Sequence, residues 1–455
     1  MSGASEKLSI TEKVGYGLGD AACNFIFQTL MYFQLSFYTD TFGISAAAAG
    51  TMFLVVGLGA AFFDPIMGVI ADRTKTRWGK FRPWVLAGAI PYGIMSVVAF
   101  STPNLGPMGK LIYAWVTYTL LMAVYTVVNV PYAALSGVIT GDPDERTSVQ
   151  SYRFVLVQGA IFIVSVLLLP MFKFFGHGDN AKGYQMTMGT LAVASILFLT
   201  ITFLTTKERI QPAPGQKSSI GQDLADLMKN GPWIALFVVT VFYFVALSLR
   251  NAMMVYYFKY FVGHDELYSI FNIFSMTGAV IGIFLSPVLT KKWGKRNVLM
   301  ATMALTGLLT GAFMLLPAQA LNATYAIETL RAMAFGVSSP LLWAMMADVA
   351  DFSEWKTGRR ATAMIFAATV FALKAGLALG RALGGWLLSL YGYLPDAQQQ
   401  TAQGLFGIRL TASIVAGAAF LAVAVCLFFY GIDKKLNLTI SEELAERRKG
   451  FSSPA

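Results

Sequence analysis

AAAAGTMFLVVGLGAAFFDPIMGVIADRTKTRWGKFRP, residues 46–83, decides how the rest of the chain is read. Up to Ala71 the stretch carries a single charge, Asp64, and then Arg73, Lys75, Arg77, Lys80 and Arg82 follow within ten residues. About twenty apolar residues cross a bilayer as a helix, and a cluster of Lys and Arg marks the cytoplasmic end of such a span. The same apolar pattern recurs along the chain, predicting spans near 15–40, 45–71, 84–102, 111–139, 151–175 and 185–205. A second set follows near 231–262, 266–289, 298–316, 324–348, 361–391 and 407–431. The runs are too long for barrel strands and lack alternation, so the expected fold is an all-α polytopic membrane protein with twelve transmembrane helices.

Composition agrees with that class. Of the 455 residues 56% are hydrophobic and 13% charged, against about 25% charged in an ordinary soluble chain. The termini and the even-numbered junctions hold 24 of the 34 Lys and Arg residues, which places both termini in the cytoplasm by the positive-inside rule. The net charge of +10 is therefore a topology signal, and no nucleic-acid partner is expected. Residues up to Val14 are polar and the apolar run after them is too long for a signal-peptide core, so the first helix is expected to be retained. The protein is read as multi-pass in the plasma membrane, the inner membrane in a bacterium, and as a monomer in the lipid bilayer. Cys23 and Cys426 lie in spans at opposite ends of the chain, and His177 and His264 in outward loops. No metal site, no catalytic residues and no cofactor beyond a coupling ion are assigned, since no clustered ligands, nucleophile elbow or phosphate loop occurs.

The chain divides at a polar stretch, 206–230, in which PAPGQKSS precedes an amphipathic helix with Ile220, Leu224 and Leu227 on one face. The expected parts are an N-terminal six-helix bundle (1–205), this cytoplasmic loop, a C-terminal six-helix bundle (231–431) and a charged helical tail (432–455). DRTKTRWGKFRP (72–83) is echoed by TKKWGKRN (290–297), and GDPDERT (141–147) by DVADFSEWKTGRR (348–360). Two related six-helix bundles of like orientation resemble the plan of major facilitator superfamily transporters, in which the substrate sits near the midplane between the halves. On that plan Arg73, Arg77 and Lys80 face Asp348, Asp351 and Glu354 as a cytoplasmic gate of opposite charges; the plainer alternative is that they fix topology and helix ends.

Ionisable groups inside spans are costly and must pair or face a cavity. Asp20, Asp64, Arg250, Glu328, Arg331, Lys374 and Arg381 meet that description, with Arg153 close behind. Asp64 is followed by Pro65, which distorts the helix, and a carboxylate there can hold a proton or a small cation. Lys374 is the ammonium expected to compete for it, unless the two form a structural ion pair. Glu328 and Arg331 stand at i and i+3 and neutralise each other. Tyr32, Tyr38, Tyr125, Tyr132, Trp343 and Trp386 offer apolar faces with polar edges suited to a pyranose.

GYGLGDAACNF (15–25), FYTDTFGIS (37–45), FFDPIMGVIADRTKTRWGKFRPW (62–84), VNVPYAAL (128–135) and ADVADFSEWKTGRRA (347–361) together resemble the glycoside-pentoside-hexuronide:cation symporters, the family of melibiose permease. The likeness covers essentially the whole chain. It implies inward transport of a sugar or glycoside, driven by a cation gradient, through a pocket between two bundles. In the melibiose permease branch helix two carries two acids one turn apart; Asp64 matches the second and Ala60 stands at the first. A single acid suffices for a proton, so H+ is favoured over Na+, although Thr126 offers sodium an oxygen. Asn24 and Asn129 stand where that branch has sugar-binding acids, Ala133 replaces a Trp, and Arg153 and Lys374 match its basic residues. Asp20 with Asn24 resembles the GD-x-x-x-N pattern of the glucuronide and xyloside branches, and the loss of two acids with Arg153 and Lys374 kept makes a hexuronide a candidate substrate. The expected cation site is Asp64, Thr126 and Lys374, and the expected substrate site Asp20, Asn24, Asn129, Arg153, Tyr32, Trp343 and Lys374. Two other readings stay open: a transporter or exporter of an amphiphilic, lipid-like or drug-like solute on the same scaffold, and a sugar sensor that does not transport.

Overall fold

The computed structural model describes residues 7–140, 143–209, 228–357 and 362–451. The expected amphipathic helix at Ile220, Leu224 and Leu227 lies outside them. The described residues form helices joined by loops and no strand, Thr76 and Gly79 making an isolated bridge.

By contact density the chain separates into two units, Met1–Gly215 with Leu388–Gln400, and Gln216–Leu387 with Thr401–Ala455. In the first, α1 (Ile10–Ser36) runs into a π turn at Phe37–Phe42, followed by α2 (Ala46–Arg73), α3 (Arg82–Ala99) and α4 (Pro107–Ile139). Next comes α5 (Pro143–Phe162), which continues through a π turn into Leu168–Gly176, and then α6 (Asn180–Thr205). The second unit holds α7 (Gly231–Tyr256, with a π turn Tyr257–Val262), α8 (Leu267–Trp293), α9 (Lys295–Ala312) and α10 (Leu321–Thr357). It closes with α11 (Thr362–Leu390), α12 (Ala402–Leu410, a π turn, then Ala416–Cys426) and a tail helix, α13 (Lys434–Phe451).

Ends of these helices are written in the local sequence. Ser9, Ser45, Asp179, Asn230 and Thr401 each accept a backbone N–H from the first turn of the helix they open. Such a cap is worth about 1 kcal/mol. The ends of α1 and α7 match closely: each passes through a π turn and stops at a left-handed glycine, Gly43 and Gly263, both at φ 78°. The residue after each glycine donates back to the same place in the turn, Ile44 to Tyr38 and His264 to Phe258. This correspondence adds a third matched pair to the two loops seen in the sequence.

Packing repeats as well. In the first unit α2 and α3 lie on α4, and α6 lies on α1 and α3; in the second α8 and α9 lie on α10, and α12 lies on α7 and α9. Helices approach closely where side chains vanish. A Cβ on Gly282 of α8 would collide with the Met333 carbonyl of α10, and one on Gly336 with the Ala279 carbonyl of α8. Small residues of this kind let membrane helices pack backbone to backbone. Hydroxyls tie other pairs, Thr202 donating to the Gly15 carbonyl at 2.7 Å and Ser195 to that of Ala22 at 3.1 Å. Large apolar side chains such as Ile90, Ile94, Val193, Leu197 and Leu308 point outward instead, as lipid demands.

Ten helices among the described residues are long and apolar enough to cross a membrane. Each of the twelve spans read from sequence falls on a described helix, but α1 and α3 fall outside the set of ten. α1 carries Glu12, Lys13, Asp20, Asn24, Gln28 and Gln34 along its length, and α3 is only 18 residues, opens at Arg82 and contains Pro91. Residues 388–400, expected in the second bundle, group with the first unit. There the Tyr393 hydroxyl donates to the buried Asp40 carboxylate, which also accepts from Thr39 at 2.8 Å.

Candidate functional site

Asp20, Asn24, Gln28 and Tyr32 are spaced by four and therefore form one stripe down α1. Asn24 Nδ2 donates to the Asp20 carbonyl at 2.9 Å and to Asp20 Oδ1 at 3.1 Å, and Gln28 Nε2 donates to Asn24 Oδ1 at 3.2 Å. Arg153 reaches across from α5. Its Nε donates to Asp20 Oδ2 at 2.6 Å and its Nη1 to Gln150 Oε1 at 3.0 Å. The guanidinium lies 5.9 Å from the ring of Tyr132, which stacks on Tyr16 at 4.8 Å and donates its hydroxyl to the Tyr16 carbonyl.

This cluster is paired but not sealed. The Arg153 side chain is 27% exposed and that of Asp20 11%. Amides and a guanidinium held in one line can exchange their mutual hydrogen bonds for those of a hydroxyl-rich solute, because an amide both donates and accepts. Gln28 and Gln150 belong to this network and are absent from the sequence reading. The four-residue spacing from Asn24 is the signal that would have found Gln28. Tyr38 and Tyr132, read as possible cavity walls, are instead fully buried core residues.

On α4 the buried Thr126 donates its hydroxyl to Asp64 Oδ1 at 3.0 Å. Asp64 is half-buried, and Pro65 beside it has no N–H to return to the carbonyl one turn back. The two expected cation ligands of the first unit thus meet. Asn129 is half-buried three residues beyond Thr126. Ala60 is buried, so the turn before Asp64 presents no second carboxylate.

In the second unit Trp343 on α10 is 45% exposed and Lys374 on α11 is half-buried. The charges of Arg250, Glu328 and Arg331 come together there as a triad. Glu328 accepts from Arg250 Nη2 at 2.5 Å, and from Arg331 Nε at 2.8 Å and Nη2 at 2.6 Å. The three side chains are 5%, 0% and 6% exposed, and Phe271 and Phe313 flank the Arg250 guanidinium. Sequence spacing anticipated the Glu328–Arg331 pair, whereas Arg250 comes from α7 and joins only through the fold.

The expected gate residues divide in the same way. Arg73 and Arg77 are exposed, Arg77 lying over the Trp78 ring. Lys80 contributes its backbone: the N–H groups of Lys80, Phe81 and Arg82 converge on the Glu208 carboxylate at 2.8, 2.8 and 3.0 Å. An anion at the first turn of α3 satisfies donors that helix geometry leaves unpaired. Gly79, at φ 110°, is required there, since a Cβ would strike that carboxylate. Nearby Arg209 forks onto Glu12 at 2.7 and 2.9 Å. Neither Glu208 nor Glu12 was expected from sequence. Asp348 closes on Lys295 of its own unit at 2.7 Å, and Asp351 and Glu354 lie half-buried beyond it on α10.

Comparison with known proteins accords with this architecture. Residues 15–434 match the family described as MFS/sugar transport protein. The inner membrane symporter YicJ of Escherichia coli is 40% identical over 98% of this chain and 97% of its own length, and the isoprimeverose transporter of Lactiplantibacillus pentosus 34% over 93% and 89%. Among solved structures, a bacterial homolog of the human lysosomal transporter Spinster superposes with a TM-score of 0.67 at 17% identity, over 95% of this chain and 98% of that one. The fold likeness, the full-length match and the buried polar clusters lead to one conclusion: this multi-pass membrane protein belongs to the MFS/sugar transport protein family, a family of transporters and not of enzymes.

Proposed function

We propose that the protein is a cation-coupled symporter that carries a sugar or glycoside into the cell by alternating access, with H+ as the coupling ion. The observation that carries this reading is the partly exposed chain Gln28–Asn24–Asp20–Arg153–Gln150, a row of hydroxyl-compatible donors and acceptors within a membrane helix bundle. Asn129, Tyr32, Trp343 and Lys374 complete the proposed substrate set, and the relatives named as a symporter and an isoprimeverose transporter support a sugar. Arg153 and Lys374 suit the carboxylate of a hexuronide as well as a neutral ring. Asp64 with Thr126 forms the proposed proton site: one carboxylate and one hydroxyl make a proton relay but a sparse cage for Na+, which takes several oxygens.

In the proposed topology all twelve helices cross the inner membrane, both termini face the cytoplasm and the protein works as a monomer. The row at Arg73, Arg77 and Lys80 and the acids Asp348, Asp351 and Glu354 serve the cytoplasmic gate. Uptake of labelled neutral glycosides and uronides into proteoliposomes, under a proton gradient and a sodium gradient imposed separately, tests the reading. Accumulation under the proton gradient alone is the expected result. Accumulation under sodium alone overturns the choice of ion, and none under either overturns the symport.

A further inference from the structure

Three candidate spans end together at one place in the second unit. α8 stops at Trp293, α9 starts at Lys295, and the span that includes α12 stops at Phe429. Between these ends and the start of α13 lies a cavity of about 310 Å³. A water molecule occupies about 30 Å³ of liquid, so the space is that of roughly ten waters. Among the described residues its walls include Lys291, Lys295, Arg296 and Lys434 against two acids, Asp348 and Asp433.

The acids are already engaged. Asp348 binds Lys295 through both oxygens, at 2.7 and 2.8 Å, and Asp433 accepts the Leu436 N–H at 2.7 Å as the cap of α13. Arg296 is pinned by the carbonyls of Leu427 and Phe428, both at 3.0 Å, and Lys434 by that of Lys291 at 2.9 Å. Carbonyls orient these cations without cancelling their charge. The Lys291 side chain is exposed at the same rim. A positive, preformed recess therefore sits where spans end, which is headgroup depth.

Exposed apolar residues adjoin its lining in sequence at the ends of the same spans. Trp293, Phe428, Phe429 and Val288 are 51%, 61%, 76% and 67% exposed, and Pro287, Ile432 and Leu438 line the recess itself. A soluble anion has no use for such a rim. A molecule with a phosphate at one end and acyl chains at the other uses both parts, and basic pockets between membrane helices hold anionic lipid headgroups in this manner.

We propose that this recess is a binding site for the headgroup of an anionic phospholipid, with Lys291, Arg296 and Lys434 facing the phosphate and the chains lying along Trp293, Phe428 and Phe429. The site is separate from the proposed substrate residues and does not depend on the identity of the sugar.

The test uses the full-length protein, delipidated in a neutral detergent and titrated with phosphatidylglycerol, phosphatidylcholine or inorganic phosphate. Bound lipid is counted by native mass spectrometry and melting is followed in parallel. Phosphatidylglycerol is expected to bind and raise the melting temperature, while the other two do not. Lys291→Glu combined with Lys434→Gln weakens that binding about thirtyfold, given the contribution of each of the two basic groups removed to anionic-lipid attraction. Lys291→Glu alone, which breaks no hydrogen bond described above, keeps the test sound if the double variant is unstable. Lys182→Gln, on α6 of the first unit, leaves lipid binding at the wild-type level. Equal binding by wild type and Lys291→Glu overturns the proposal; so does inorganic phosphate acting as well as the lipid, which would make the recess a site for a soluble phosphorylated ligand.

Discussion

Two of the charged clusters inside the helical units, among the described residues, are built to opposite ends. In the first unit Asp20 and Arg153 are joined to amides and remain 11% and 27% exposed. In the second, Glu328 holds two arginines with exposures of 6% or less, closed over by Phe271 and Phe313. A charge inside a membrane protein is expensive in either place. What separates a binding cluster from a structural pin is whether its hydrogen bonds can be traded with a solute, and exposure decides that. The Glu328 triad reads as a pin that fastens α7 to α10. Asp20–Arg153 is the pair proposed as a site.

The largest effect that would break this contrast is expected in the pin. Glu328→Gln leaves two buried guanidinium groups without a counter-charge, and losing one member of such a set costs about 3–5 kcal/mol. The purified variant should melt well below wild type in detergent. Replacing Arg250, Glu328 and Arg331 together by Met should recover most of the loss and retain uptake, since apolar residues of similar volume often replace a buried ion cluster at little cost. Loss of sugar binding in a stable triple variant would make the triad part of the site.

Asp64→Asn comes next. It should abolish gradient-driven accumulation while sugar exchange between the two sides of the vesicle persists, and full accumulation would remove Asp64 from the coupling role. Smaller again is Arg153→Ala. A hydrogen bond to a charged group contributes about 1.5–3 kcal/mol, so sugar affinity measured by calorimetry in detergent should fall by about one to two orders of magnitude. Unchanged affinity in folded protein would turn Asp20–Arg153 into a second pin and erase the distinction. Smallest is Thr126→Val, which deletes one hydroxyl donor to Asp64, worth about 1 kcal/mol. A few-fold loss of gradient-driven uptake is expected, well short of the effect of Asp64→Asn, with sugar affinity unchanged.

Much of the molecule is legible in the residue order because the bilayer imposes simple demands. Length and apolarity locate the helices, and caps such as Ser45 and Asn230 and stops such as Gly43 and Gly263 set their ends from neighbours only a few positions away. The stripe Asp20–Asn24–Gln28–Tyr32 and the pair Glu328–Arg331 follow from helical spacing alone. α1 and α3 show where the rule weakens: polar residues along one helix and an arginine and proline in a short one dilute the apolar signal that the other ten retain.

Contacts between residues far apart in sequence belong to another order of information. No spacing along the chain brings Arg250 to Glu328, Arg153 to Asp20 or Thr126 to Asp64. These meetings depend on which helix faces which, and that follows from close packing at positions such as Gly17, where a Cβ would press on the Arg153 backbone. The collar of backbone N–H groups around Glu208 and the basic recess beside α13 are likewise decided only in three dimensions. Hydropathy and helical period are local properties, so the residue order already sets out a helical membrane transporter and its candidate charges. Burial and pairing belong to several helices at once, so which charges are locked away and which stay within reach of a ligand is settled by the fold.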